Sequence, residues 1–350
     1  MINEFSIGNR KIGNNQPVYI IAEMSANHNQ NFEQAAKIIH AAKDSGADAI
    51  KIQTYTSDTI TIDCANEYFK IGKGTIWEGK TLYNLYKEAY TPWEWQPKLK
   101  EIACSLGLDF FSSPFDNTAV DFLEKMDVPA YKIASAELVD MPLIRYIAKT
   151  GKPIIMSTGM AMLSEIDEAV RTIKNEFGNQ IALLKCTSAY PAMPEEMNLR
   201  AIPHMSETFD LPVGLSDHTL GIAVPIAAAV LGACIVEKHF TLSRLIQGPD
   251  SAFSLEPHEF KAMVEAIRIS EKALGKVSYE VTEKEMASRV FRKSIFAVKN
   301  IKTGDLFSND NIRCIRPGHG LHTRYYDEII GRISKKDIRK GTPIDFNMLC

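Results

Sequence analysis

At 350 residues the chain is longer than one ordinary domain, and its 45% hydrophobic and 24% charged residues are the composition of a soluble globular protein. The net charge of −3, without any long Lys/Arg run, argues against nucleic acid or a membrane surface as a partner, so an anionic ligand would need a local cluster of cations. The longest uncharged run, Thr219–Val236, is shorter than the ~20 residues that span a bilayer and is broken by Pro225 and Gly232. Met1–Lys11 has no apolar core of signal-peptide type. The six cysteines form no C-x-x-C pair, and both features predict a reducing, cytoplasmic setting.

Phe5–Ile12 reads as a hairpin turned at Gly8-Asn9-Arg10. From Val18 one phrase repeats: a short apolar strand ending in polar residues, then an amphipathic helix. The predicted strands are Val18–Ala22, Ala49–Thr54, Asp109–Ser113, Ala130–Ile133, Ile154–Ser157, Ile181–Cys186, Val213–Leu215 and Cys234–Glu237. Between them lie helical patterns such as Phe32–Ser45, Glu94–Leu106, Thr118–Met126, Pro142–Lys149, Leu163–Glu176 and Ile222–Leu231. Ser164 with Asp167 reads as a capping box, and Gly46, Gly107 and Gly178 follow helix ends. Eight repeats with near-continuous apolar strands predict a closed parallel α/β barrel, the (β/α)8 TIM barrel. The alternative, a doubly wound open sheet, lacks the early G-x-G-x-x-G fingerprint it often carries.

Thr56–Lys80 is a long insertion after the second strand, expected to shape a pocket; its segment Ile71–Trp77 lacks Walker spacing. After the helix Glu259–Leu274 the character changes. The expected organisation is a barrel over 1–278, a linker over 279–292 and a small β-rich domain over 293–350. The β-like runs there are Ser294–Val298, Asn311–Ile315, Ile329–Ile333 and Thr342–Ile344, and Asn300–Asp305 is echoed by Asp337–Thr342.

The chemistry collects between Val213 and Thr241. Two consecutive strands there end in Ser216-Asp217-His218 and Glu237-Lys238-His239. Adjacent strands lie ~4.8 Å apart, so the two histidines could share a divalent metal; hydrogen-bonded histidines at strand ends are the plainer alternative. Barrel active sites lie at the C-terminal strand ends. Those ends also supply Glu23, Asn27 and His28, Lys51 and Gln53, Ser112 and Ser113, Lys132, Ser135 and Glu137, Ser157 and Thr158, and Lys185, Thr187 and Ser188. Lysines beside hydroxyls at one rim suit a multiply charged small anion, while Lys185 or Lys238 paired with a carboxylate would be structural.

The strand-end motifs A-E-M-S-A-N-H-N-Q (22–30), I-K-I-Q-T-Y-T (50–56), F-S-S-P-F-D (111–116), Y-K-I-A-S-A-E (131–137), S-T-G-M (157–160), L-K-C-T-S-A-Y-P (184–191), G-L-S-D-H-T (214–219) and E-K-H-F-T (237–241) resemble those of the sialic acid synthase family. The tail resembles that family's antifreeze-like (SAF) domain, so the likeness covers essentially the whole chain. It implies a transferase that condenses phosphoenolpyruvate with an open-chain amino sugar and releases phosphate. Carried over, His218 and His239 would hold a divalent metal, with Mn2+ favoured and Mg2+ or Co2+ as alternatives. Lys51, Lys132, Ser135 and Ser157, with Gln53, would grip the phosphate, and Ser188 and Ser216 the carboxylate. Glu23 and Glu137 would be the acid/base candidates, and Tyr190 and Asp250 would contact the sugar. Arg316 would reach the sugar's N-acyl group in a partner subunit, which implies a homodimer with swapped C-terminal domains. Within the family, residues 25–28, 85–95 and 320–326 look most like the branch acting on 2,4-diacetamido-2,4,6-trideoxy-L-altrose. N-acetylmannosamine or its 2,4-diacetamido analogue are the alternative sugars, and a non-catalytic sugar-binding barrel is the remote one.

Overall fold

The structure is a computed structural model that describes residues 5–13, 15–74, 77–176 and 178–350. Thr75 and Ile76 of the Ile71–Trp77 segment lie outside the described residues. The chain divides into two units, 1–275 and 276–350.

In the first unit β1 (Phe5–Ile7) and β2 (Arg10–Ile12) form the antiparallel hairpin, turned through Gly8 at φ +55°. Phe5, Ile7 and Ile12 are buried against the barrel strands. The barrel follows: β3 (Tyr19–Glu23), β4 (Ala49–Thr54), β5 (Asp109–Pro114), β6 (Tyr131–Ile133), β7 (Ile154–Ser157), β8 (Ile181–Cys186), β9 (Val213–Asp217) and β10 (Ile235–His239). All pairings are parallel and sequential, and β10 closes back onto β3 with His239 opposite Glu23. The strands are buried on both faces, which is why they read as apolar runs rather than alternating ones.

The helices confirm the predicted periodicity within a residue or two, as at Phe32–Asp44 and Leu163–Glu176. Gly46, Gly107 and Gly178 sit at φ +88°, +70° and +98°, the left-handed conformation that ends a helix. The Ser164 capping box is a correction. The helix already begins at Leu163, and the Glu165 carboxylate accepts the Met162 N–H at 2.7 Å, so the acidic cap lies two residues earlier. Within the insertion and its continuation, Ser57–Ile60 and Leu82–Ala89 are helical, each with a threonine cap.

In the second unit, Glu283–Ser288 forms a short helix within the expected linker. β11 (Ser294–Ala297) and β12 (Ile312–Ile315) pair antiparallel. The expected β-run Ile329–Ile333 is instead the end of a short helix, Tyr326–Ile329, whose first turn carries Asp327 and Glu328 where the helix dipole favours anions. Ile333 then bridges to Leu306. The two echoed segments face each other: the Ile301 N–H donates to the Ile338 carbonyl and the Ile338 N–H to the Ile301 carbonyl, both at 2.8 Å.

Candidate active site at the C-terminal end of the barrel

Strand alternation decides which strand-end side chains meet. On β9 and β10, Ser216, Glu237 and His239 face the barrel interior, and the Ser216 hydroxyl donates to Glu237 Oε1 at 3.0 Å. The intervening Asp217 and Lys238 face the surrounding helices, where they form a fully buried ion pair of 2.5 Å. The Asp217 carboxylate also accepts the Thr219 N–H and hydroxyl at 2.9 and 3.0 Å, and Lys238 donates to the Thr219 carbonyl. Lys185 likewise turns away, donating to the Cys186 carbonyl at 2.8 Å. Lys238 is thus structural through its carboxylate partner, as the alternative held, whereas Lys185 turns away onto a carbonyl and the Thr187 hydroxyl instead of a carboxylate. His28 is also structural. It is buried beside Trp95 and bonded to Thr91, and burial brings its imidazole down to about 4.

Inside the barrel, Lys51 Nζ lies 2.7 Å from Glu23 Oε2 and 3.8 Å from Glu237 Oε1, and Lys132 Nζ lies 3.9 Å from Glu237 Oε1. Lys132 also donates to Ser157 Oγ at 2.5 Å. Gln53 Nε2 donates to Glu23 Oε1 and Ser25 Oγ, both at 3.0 Å. Burial raises the Glu23 carboxyl, and the Lys51 ammonium only partly opposes it. Burial alone would raise Glu237 too, but the ammoniums of Lys132 and Lys51 outweigh it and hold that carboxyl below its ordinary value. In this buried arrangement of two carboxylates and two ammoniums, Glu23 is in register with His239 and Glu237 stands two residues before it on the same strand. Glu237 is the member that the strand-end reading collected but gave no role.

The His218 and His239 rings lie 5.3 Å apart at 59°. His218 Nδ1 bonds the Thr187 carbonyl at 2.9 Å; since a carbonyl only accepts, Nδ1 carries a proton, and Nε2 is the nitrogen that could serve as a ligand. His239 Nδ1 is buried with no hydrogen-bond partner. Burial, then the neighbouring His218 and Lys51, keep His239 well below the ordinary imidazole value, hence neutral. Burial lowers His218, but Cys186 and the Thr187 carbonyl outweigh it and raise that imidazole above its ordinary value, so a divalent ion would take the place of a proton on His218 Nε2 and meet the neutral His239 beside it. Among the described residues no group of three or more His, Cys, Asp or Glu is arranged to hold a metal, so substrate oxygens and water would complete the shell. Cys186 Sγ lies 4.0 Å from His218 Nδ1. Burial would raise this thiol, yet His218, Ser135 and Lys132 bring it to about 7.

Above these groups opens a cavity of about 370 Å³ whose lining includes Gln53, Ser135, Glu137, Ser188, His239 and Asp250. Tyr190, also in the wall, stacks on His218 with ring centres 4.3 Å apart. Asp250 is buried and accepts the Ala26 N–H at 3.2 Å. Glu137 has a buried, unpartnered Oε2, and burial lifts its carboxyl to about 7. Gly159, in the S-T-G-M motif, donates its N–H to Ser135 Oγ at 3.1 Å. A Cβ there would lie 2.2 Å from Ser188 Oγ and 2.7 Å from Ser135 Oγ, so only glycine lets the two hydroxyls approach. Sequence reading missed this, although the glycine was visible between two strand-end hydroxyl motifs. Arg316 belongs to the second unit, where it is exposed in a cleft with Arg289, Arg292 and Lys293.

The NeuB family model matches residues 38–279 and the SAF domain model residues 292–349. The chain is 47% identical over 334 residues to the pseudaminic acid synthase of Campylobacter jejuni subsp. jejuni serotype O:23/36, covering 95% of this chain and 97% of that protein. It is 37% identical to the N,N'-diacetyllegionaminic acid synthase of Legionella pneumophila, over 96% of this chain and 97% of the other. Among solved structures, the N-acetylneuraminic acid synthetase of Leptospira borgpetersenii in complex with citrate superimposes with a TM-score of 0.73 at 34% identity, covering 82% of this chain and 95% of that one. With the family model matching 242 of its 350 residues, the SAF model matching its tail and 47% identity along 95% of its length, the chain belongs to the NeuB family of phosphoenolpyruvate-dependent nonulosonic acid synthases.

Proposed function

We propose that the protein is a pseudaminic acid synthase, joining phosphoenolpyruvate to 2,4-diacetamido-2,4,6-trideoxy-L-altrose and releasing phosphate by C–O cleavage. The observation that carries this reading is the 47% identity along 95% of the chain to a protein of that name, against 37% to a legionaminic acid synthase. The site chemistry supports it. Lys132, whose nearest carboxylate oxygen is 3.9 Å away, has more of its charge free for phosphate than Lys51, which is tied to Glu23 at 2.7 Å. Ser135, Ser157 and Gln53 would add hydrogen bonds to the phosphate. Ser188 would take the carboxylate, and Ser216, already donating to Glu237, would assist only by turning its hydroxyl.

When bound at His218 and His239, a divalent ion such as Mn2+ supplies Lewis acidity toward the sugar's aldehyde. In the condensation C3 of phosphoenolpyruvate would join the aldehyde carbon, whose oxygen takes up a proton, while water adds at C2 with loss of a proton and phosphate leaves with the bridging oxygen. The two candidate acid/base residues differ. Glu23 is ion-paired, whereas Glu137 has a free oxygen and a pKa of about 7, which suits proton exchange at neutral pH. Tyr190 and Asp250 line the same cavity and would contact the sugar.

A cytoplasmic homodimer with exchanged C-terminal domains belongs to the same reading. The exposed apolar residues on loops after the barrel strands support a cover there: Met160 is 71% exposed, Leu220 58% and Leu245 92%. Arg316 of a partner subunit would then complete the sugar site. Mixing His239→Ala with Arg316→Ala subunits should restore activity in the hybrid; dimers that stay inactive would refute the exchange. No helix among the described residues is long and apolar enough to cross a membrane. Phosphate release assayed with each sugar tests the substrate, and turnover with N-acetylmannosamine alone would overturn the assignment.

A further inference from the structure

The helix Leu82–Ala89 follows the long insertion after β4 and is amphipathic, but its apolar stripe does not join the barrel's core. Leu82, Leu85, Tyr86 and Ala89, spaced i, i+3, i+4 and i+7, all line the 370 Å³ cavity, and none of them belongs to the two hydrophobic clusters that fill the first unit. Thr81 caps this helix, its hydroxyl accepting the Asn84 N–H at 3.3 Å, so the stripe is held in register. Tyr55 joins the stripe to Phe115, with ring centres 5.6 Å from Tyr86 and 5.1 Å from Phe115. The cavity is therefore two-sided. Its strand-end side carries Ser135, Glu137, Ser188 and Asp250, and its lid side is carbon at Leu82, Leu85 and Ala89, with polar hydroxyls at Tyr55 and Tyr86.

A fully hydroxylated sugar has no face for such a lid. A hydroxyl pressed against Leu82, Leu85 or Ala89 gives up water without gaining a partner, whereas a methyl group there leaves water with nothing lost. We propose that the Leu82–Ala89 stripe is the specificity wall for the sugar, receiving the C6 methyl and acetamido methyl groups and selecting 6-deoxy over 6-hydroxy sugars. This rests on the substrate class assigned above. An apolar wall rejects an analogue carrying one added hydroxyl only modestly, so the discrimination expected is roughly 10- to 100-fold in kcat/KM.

The test compares 2,4-diacetamido-2,4,6-trideoxy-L-altrose with its 6-hydroxy counterpart in the wild-type enzyme and in Leu82→Gln and Tyr86→Gln, each made separately. Both positions are only partly buried, so the variants should fold, and the KM for phosphoenolpyruvate reports an intact strand-end side. The expected result is a preference for the deoxy sugar in the wild type that shrinks about tenfold in at least one variant, through the KM of the deoxy sugar, with the KM for phosphoenolpyruvate unchanged. Equal turnover of the two sugars by the wild type, or a preference unmoved in both variants, would overturn the wall while leaving the proposed reaction standing. If the wild type uses neither diacetamido sugar but accepts N-acetylmannosamine, the proposed reaction fails and the wall with it.

Discussion

Replacing Lys238 by methionine should destabilise the barrel out of proportion to the atoms removed. Lys238 and Asp217 are both 0% exposed and form a 2.5 Å ion pair, each standing one residue before a histidine of the candidate metal site. Removing the ammonium leaves the Asp217 carboxylate buried beside Thr219 with no counter-charge. Breaking one side of a buried pair in this way costs about 3–5 kcal/mol. In Asp217→Asn/Lys238→Met both charges are gone; the amide oxygen in the place of Oδ1 still accepts the Thr219 N–H, and the amide NH2 in the place of Oδ2 can donate to the Thr219 hydroxyl once that hydroxyl turns, so the double variant should recover most of that loss. Urea unfolding followed by tryptophan fluorescence measures this directly. With a slope of ~3 kcal/mol/M the single variant's midpoint falls by about 1 to 1.7 M, and the double variant's by about a third as much. Mn2+ titration by electron paramagnetic resonance then reads the consequence for the histidines: weaker binding in the single variant and near-native binding in the double. A Lys238→Met protein within 1 kcal/mol of wild type would refute the idea that this pair fastens the ends of β9 and β10.

Three further outcomes follow from the geometry. Gly159→Ala forces the Ser135 and Ser188 hydroxyls aside, and should raise the KM for phosphoenolpyruvate at least about tenfold with little change in Tm; a KM within twofold would remove both serines from the anion site. Burial raises the Glu137 carboxyl from 4.5 to about 7, so the stability it contributes is fully present below pH 4.5 and is lost as pH rises through 7. Glu137→Gln should therefore gain at most about 3 kcal/mol relative to wild type between pH 4 and pH 8 and lose the kcat/KM limb near pH 7; parallel stability curves would contradict this. Chelation should abolish activity and Mn2+ restore it, and His218→Ala should lose calorimetrically measured Mn2+ binding; unchanged binding would remove that histidine from the metal site.

The barrel was legible because each parallel strand is buried on both faces, so Ile154–Ser157 and Ile181–Cys186 stand out as apolar runs with their observed limits. The site was legible less evenly. Its motifs mark strand ends, but only alternation along a strand separates Glu237, which faces Lys51 and Lys132, from Lys238, which faces the helices. The helix Ala201–Phe209 escaped notice because Pro203 stands in its first turn, where proline is tolerated but reads as a break. The Leu82–Ala89 stripe carried a helical period, yet nothing in the sequence said that it would face a cavity rather than a core.

In the tail, Asn300–Asp305 and Asp337–Thr342 trade backbone hydrogen bonds in both directions at Ile301 and Ile338, and Asp337 and Asn300 each accept an N–H from the opposite copy, at Thr303 and Lys340. Each half thus finishes the other, and neither carries a complete edge of its own. A chain ending between them would leave Ile301 without its mate and its amides open to solvent, so this clasp fastens only once both halves have been synthesised.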